Sequence, residues 1–399
     1  MIARTPLPFD LNLRHLRAFS AIVRHGSMSA AARAVNLSQP AMTQGLAKLE
    51  DQLGVALFDR RSNGMAVTPE GEIALHRVEA ALDHLSESAR GIARGGGRGF
   101  TWPDHLITAT QLRAFLAVAD AESFVGAADA IGLSQPALHR AVRDLEQLCA
   151  LALVERHGRS VVLTPAGARL ARGARLARVE LAALILEATA DATGGGSLVI
   201  GAMPLCRALI LPAALARFTR AWPGTRVDIV EGSWRELVDP LRDGVLDVMI
   251  GALREGAPRD CTQTPLMTDS LTVVGRRDHP LAQVERPSLD QLASYPWVVG
   301  HPRTPLRLQW ENLFAGNTAP RAPVECGSVM VIRGLLVESD FLTLLSPDQV
   351  ALEIERGLLT SIGTRLRDSV RTIGVTTRSR WRPTAPQAHF LDLLNEVTR

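Results

Sequence analysis

Cysteine is scarce in this chain of 399 residues: Cys149, Cys206, Cys261 and Cys326 stand apart, without the spacing that gathers a metal ion. That pattern disfavours a disulfide framework and predicts a reduced, cytoplasmic setting. Long hydrophobic runs are missing too. No stretch reaches membrane-spanning length, and Met1 to Pro6 opens no apolar run of an exported chain, so no membrane partner is expected. The C-terminal half lacks a nucleophile elbow, a His-Glu-x-x-His pair, a phosphate-cradling glycine loop and a Cys/His metal set. Catalytic residues, metal and cofactor are therefore expected to be none. Net charge is only +3, which by itself makes no case for a nucleic-acid partner. Its distribution is more telling, because Arg156, Arg159, Arg169, Arg172, Arg175 and Arg178 crowd one segment.

What is present begins with Asn36 to Glu50. Ser38 can cap a helix, and Pro40 falls in the first turn, where its missing N–H costs nothing. Met42, Leu46, Leu49 and Leu53 recur at helical spacing as a buried stripe. The other face carries Gln39, Pro40, Thr43, Gln44, Ala47 and Lys48. Ahead of it, Ser27 to Val35 reads as a short Ala-rich helix ending in a turn. Two short helices of this kind predict a helix-turn-helix, the second able to enter a major groove; an ordinary helical hairpin is the alternative. Leu53 to Pro69 reads as strand, turn, strand around Asn63-Gly64, with Arg60 and Arg61 as a basic wing suited to phosphates.

The whole pattern occurs twice. Leu16-Arg17-Ala18-Phe19 returns as Leu112-Arg113-Ala114-Phe115, Leu37 to Ala41 as Leu133 to Ala137, and Thr68-Pro69-Glu70-Gly71 as Thr164-Pro165-Ala166-Gly167. About a third of the positions are identical over roughly sixty residues, an internal duplication. The second copy offers Ser134, Gln135, Pro136, His139, Arg140 and Arg143, with Arg156 in its wing. It replaces Asn63-Gly64 by Arg159-Ser160, which predicts a weaker hairpin and a copy that clamps phosphates more than it reads bases; the alternative is that Arg140 contacts a guanine edge and the second copy reads its own half-site. Gln44, by contrast, is expected to read bases. Each copy leads into a long apolar-striped helix, from Pro69 to about Ile92 and over about 166–192. Such a helix on a small domain needs a partner, and self-association is the simplest one.

Beyond Gly194-Gly195-Gly196 strands alternate with helices, which predicts a parallel sheet covered on both faces. Ligands in such sheets bind beyond the carboxyl ends of strands. The candidates are Met203, Pro204, Leu205, Cys206, Ser233, Gly251, Ala252, His301, Arg303, Thr304, Ser328 and Val329. The predicted boundaries are a first head over 12–70, its linker over 71–105, a second head over 106–165 and its linker over 166–196. An effector region over 197–399 follows, with lobe I at about 197–270 and 377–399 and lobe II at about 271–376.

Taken together, these motifs resemble the LysR-type transcriptional regulators. The head signature carries the resemblance: Leu16 to Phe19, Ser27 to Ala32, Leu37 to Ala41, Leu49-Glu50, Leu57 to Arg60 and Thr68 to Gly71. Ile200-Gly201, Pro223-Gly224, Glu231-Gly232, Gly244 to Asp247 and Ile250-Gly251 extend it through the C-terminal half. The resemblance implies winged helix-turn-helix heads, linker helices and an α/β two-lobed periplasmic-binding-protein-like effector domain. It implies regulation of transcription on double-stranded promoter DNA in answer to a small-molecule effector, a sugar, sugar acid or aromatic acid such as protocatechuate. A homodimer or homotetramer is implied, with RNA polymerase as a further partner. The departure is the duplication, since most members carry one head. An enzyme on a binding-protein fold and a solute-binding transport component are the competing classes; the missing catalytic motifs oppose the first and the paired heads the second.

Overall fold

The computed structural model describes residues 6–61, 64–93, 105–158, 160–188, 195–206, 208, 210–363, 366 and 369–398. The chain divides into two compact units near residue 197.

In the first unit, α1 (Leu13–His25), α2 (Met28–Ala34) and α3 (Gln39–Leu53) build one head. Asn12, Ser27 and Ser38 cap them, accepting from the N–H groups of Arg14, Ala30 and Ala41. Gly26 and Gly54 end α1 and α3 in left-handed conformation, which glycine adopts without strain. Leu16, Phe19, Met42, Leu49 and Leu53 are fully buried between the helices. A hairpin of β1 (Phe58–Arg61) and β2 (Gly64–Val67) follows, and α4 (Pro69–Ala93) leaves it. The second head repeats the plan in α5 (Ala109–Ala121), α6 (Phe124–Ile131), α7 (Gln135–Cys149), β3 (Val154–His157), β4 (Ser160–Leu163) and α8 (Pro165–Ala188).

The second wing forms a hairpin as long as the first, although it lacks the Asn-Gly pair. β3 and β4 pair over four residues each, as β1 and β2 do. Gly158, at φ +61°, supplies the left-handed turn residue that an Asn-Gly pair otherwise would. In the first wing Gly64 opens β2, and Asn63 lies outside the described residues. Both wings hang from the same device. The Glu50 carboxylate accepts from the N–H groups of Leu57 and Phe58 at 2.8 and 3.4 Å, and Glu146 accepts from those of Leu153 and Val154 at 2.8 and 3.3 Å.

The long helices α4 and α8 find their partner in each other, within one chain. Arg77 of α4 donates to Glu180 at 2.9 Å and to Glu187 at 2.5 Å on α8, and the side chains of Arg77 and Glu180 are only 6% and 5% exposed. Burial opposes the Arg77 charge, but its bonds to Glu187 and Glu180 outweigh that and raise its pKa.

In the second unit, β5 (Ser197–Ala202), α9 (Ile210–Ala221), β6 (Arg226–Glu231), α10 (Trp234–Arg242), β7 (Val248–Ala252) and β8 (Cys261–Asp269) open the first lobe. The chain then crosses over. β9 (Thr272–Arg276), α11 (Leu289–Ala293), β10 (Val298–Val299), α12 (Pro305–Leu313) and β11 (Val324–Glu325) begin the second lobe. α13 (Val329–Val337), β12 (Thr343–Leu345), α14 (Ala351–Glu355) and β13 (Leu359–Ile362) complete it. β14 (Arg371–Arg378) and α15 (Ala385–Val397) return to the first lobe.

The large sheet runs β6-β5-β7-β14-β8 and is mixed, not parallel. β5 and β7 are parallel, whereas β14 runs antiparallel to both β7 and β8. Lobe II therefore ends near residue 370 rather than 376. A return strand that pairs on both sides cannot be told by alternation from one more βα repeat. The second lobe holds the antiparallel sheet β12-β9-β13 and the short parallel pair β10-β11. Trp297, Trp310 and Phe314 fill its core, with Trp297 and Phe314 edge to face at 5.4 Å.

Candidate functional site

The outer faces of α3 and α7 are the first candidates. Ser38 and Ser134 are spent as caps. Gln39 donates to the Ser29 hydroxyl at 2.6 Å, and Thr43 donates to the Gln39 carbonyl at 3.1 Å. Pro40, Gln44 and Lys48 are exposed, and the Gln44 amide makes no hydrogen bond among the described residues. On α7, Gln135, Pro136, Arg140 and Arg143 are exposed, while His139 stacks on Phe124 with ring centres 3.8 Å apart. Burial first, then Arg156 and Arg143, push the His139 pKa below its usual value. Arg156 is exposed on β3 beside this face. Arg60 and Arg61 fall on β1, and their side chains lie outside the described residues. A helix face of amides and guanidinium groups can donate to phosphates and base edges alike.

The second candidate is a cavity of about 330 Å³ between the lobes of the second unit. Seven of the residues singled out from the sequence line it: Met203, Pro204, Ser233, Ala252, His301, Thr304 and Val329. The others do not. The Cys206 thiol is buried and donates to the carbonyls of Met203 and Ile250 at 3.2 and 3.4 Å. Gly251 is pressed against Met203, and a Cβ there would collide with it. Arg303 is exposed and does not line the cavity. Ser328 caps α13 by accepting from Val331 and lines a separate, more open hollow. The Leu205 side chain lies outside the described residues.

Sequence reasoning missed Arg254, Leu271, Trp310, Gln349 and Arg371, all of which line the wall. Arg254 stands two residues beyond β7 and was within reach of the strand-end rule. Arg371 was not, because it opens β14 at the amino end. Most of the wall is apolar, from Leu271, Val298, Leu306, Trp310, Ile332 and Leu344. Its two cations differ. Arg371 is paired with Asp269 at 2.7 Å, whereas the Arg254 guanidinium makes no bond among the described residues.

Known proteins match both parts. The family description "Bacterial regulatory helix-turn-helix protein, lysR family" matches residues 13–72 and again 109–168. The description "LysR substrate binding domain" matches residues 191–399, more than half of the chain. The chain belongs to the LysR family. It is a DNA-binding transcriptional regulator of the kind that answers to a small-molecule effector, and not an enzyme.

Among its relatives, the HTH-type transcriptional regulator GalR of Pseudomonas putida is 35% identical over 374 residues, 92% of either chain. A match of that extent reaches into both head copies. The SDS degradation transcriptional activation protein of a Pseudomonas species is 34% identical over 62% of this LysR chain and 82% of its own. In fold it resembles ArgP from Mycobacterium tuberculosis, with a TM-score of 0.58, 18% identity and coverage of 72% of this chain and 96% of that one. A full-length OxyR variant from Pseudomonas aeruginosa gives 0.57, 22%, 73% and 95%. Among the described residues no helix is long and apolar enough to cross a membrane.

Proposed function

We propose that this LysR regulator reads promoter DNA with the outer faces of α3 and α7, and that its effector is an apolar-bodied carboxylic acid held in the inter-lobe cavity. The aromatic acids fit this reading better than the sugars. The wall carries the argument: a sugar needs a hydrogen-bond partner for nearly every hydroxyl, and desolvating unmatched hydroxyls against Leu271, Val298, Trp310 and Leu344 is costly. A flat ring is welcome there, and the unpaired Arg254 cation suits one carboxylate. The protein works in the cytoplasm, a setting favoured by four cysteines that form no disulfide.

The test is a thermal-shift series on the full chain with benzoate and protocatechuate against gluconate and galactose. A ligand at a hundred times its Kd stabilises by about 2.7 kcal/mol. The aromatic acids should raise the melting temperature and Arg254→Ala should reduce the shift. A rise with galactose or gluconate and none with the acids would reject the effector class.

A further inference from the structure

The two heads are related by an offset of 96 residues, so that Arg77 corresponds to Gly173, His84 to Glu180 and Ser88 to Leu184. Arg77 of α4 meets Glu180 of α8. The equivalent contact, Gly173 with His84, is also made: a Cβ on Gly173 would stand 2.7 Å from the His84 carbonyl and collide with the Ser88 hydroxyl. The helices therefore pack antiparallel, with the Arg77–Glu180 contact answered by its counterpart, Gly173–His84. The segments before α1 and α5 follow the same pattern to within one residue, since His105 corresponds to Phe9. Arg17 donates to the His105 carbonyl at 3.5 Å, and its counterpart Arg113 lies 3.8 Å from the Asp10 carboxylate. Leu11 to Arg14 and their counterparts Ile107 to Thr110 line one small hollow, so equivalent residues meet one another there. Reciprocal contact of this kind is the mark of a two-fold axis. Here it runs through a single chain.

The two sides of that axis are not alike. Arg77 faces two carboxylates, and Gly173 gives the clearance that seats Ser88. Pairing α4 with another α4 would put a second Arg77 where Gly173 stands and leave both guanidinium groups without an acid. Pairing α8 with another α8 would bury Glu180 without a cation. The reading faces differ as well. Thr43, Gln44, Ala47 and Lys48 become His139, Arg140, Arg143 and Asp144, whereas Ser38 to Ala41 and Ser134 to Ala137 are identical.

We propose that one chain forms the complete two-headed reading unit, and that its operator is an inverted pair of unlike half-sites, one for each face. This rests on the assignment of α3 and α7 to DNA. Two-fold related heads demand inverted half-sites, and unlike side chains at the four differing positions demand unlike sequences.

Selection of binding sites from random duplexes by the full chain tests it. The expected product is an inverted repeat whose halves differ. Giving the second head the face of the first, by His139→Thr, Arg140→Gln, Arg143→Ala and Asp144→Lys, should turn the product into a palindrome. Arg140, Arg143 and Asp144 are exposed and His139 is half-buried against Phe124, so a retained cooperative melting transition checks that the variant folds. A palindrome or direct repeat selected by the native chain, or an unchanged product from the variant, overturns the proposal. No enrichment at all overturns the assignment of the faces to DNA, and this proposal with it.

A mixing experiment tests the single-chain claim separately. One chain carries Gln44→Ala and Lys48→Ala, the other Arg140→Ala and Arg143→Ala, and each alone should bind the selected duplex about tenfold or more weakly than the native chain. Co-expressed, they should do no better. Recovery toward native affinity would mean that two chains share one reading unit, and would overturn the claim.

Discussion

Gln44 is the residue of the first head proposed to read bases. Its amide is exposed, lies on the outer face of α3 and makes no bond among the described residues, so it is available for an adenine edge. Gln44→Ala should therefore cost about 1–3 kcal/mol of discrimination while leaving non-specific binding almost unchanged. Competition gel shifts with specific and random duplexes measure both; an equal loss in the two would remove Gln44 from base reading. Cysteine chemistry separates by burial. Cys149 is buried, and burial first, then Glu146, pushes its thiol up to about 11, so at pH 8 only about one part in a thousand is thiolate. Iodoacetamide should label the half-buried Cys261 and Cys326 in the native chain, and Cys149 and Cys206 only after denaturant is added. Mass spectrometry of the peptides checks it.

Elements were legible in the sequence wherever a local signal exists. Serine caps, Pro40 in a first turn and the Met42 to Leu53 stripe place α3 unaided, because capping and periodicity are decided within a few residues. What was less legible is what long-range pairing decides. The second wing closes on Gly158, one residue before the Arg159-Ser160 pair that by itself predicts a weaker turn. β14 looks like any other apolar run and takes its place only from its two neighbours. The cavity was half legible: strand ends supplied seven wall residues, while Trp310 and Leu271 were indistinguishable from core. Gly71 and Gly167 make an element-scale prediction. Each starts a linker helix so close to its wing that a Cβ would collide with the carbonyl of Leu57 or Leu153. Gly167→Ala should destabilise the second head by about 1–3 kcal/mol, measured as a lower urea midpoint, although alanine is the better helix former.

At the scale of the molecule, the need of each linker helix for a partner was legible, but not which partner. An apolar stripe reports that something must cover it and is silent on whether the cover comes from the same chain. The buried Arg77 selects α8 over a second α4, because its acids stand on α8, and in the structure that α8 belongs to the same chain. Removing one member of a buried ion pair strands the other, at about 3–5 kcal/mol, whereas an apolar residue of similar length fills the space it leaves. Arg77→Ala should accordingly melt the first unit at lower temperature. The double variant Arg77→Met with Glu180→Met should recover much of the loss, since no charge is then stranded between those two positions. Calorimetry on the full chain follows both transitions, and a double variant as unstable as Arg77→Ala would remove the ion pair from the account.

The joining of α4 to α8 within one polypeptide also has a bearing on gene dosage. Partners on separate molecules associate in proportion to the square of their amount, so halving expression quarters the assembled form when assembly is weak. Helices tethered on one chain face each other at an effective concentration of about a millimolar, however few molecules the cell holds. Paired reading heads of this kind survive dilution to a handful of copies, and their number falls only in simple proportion to the messenger that encodes them.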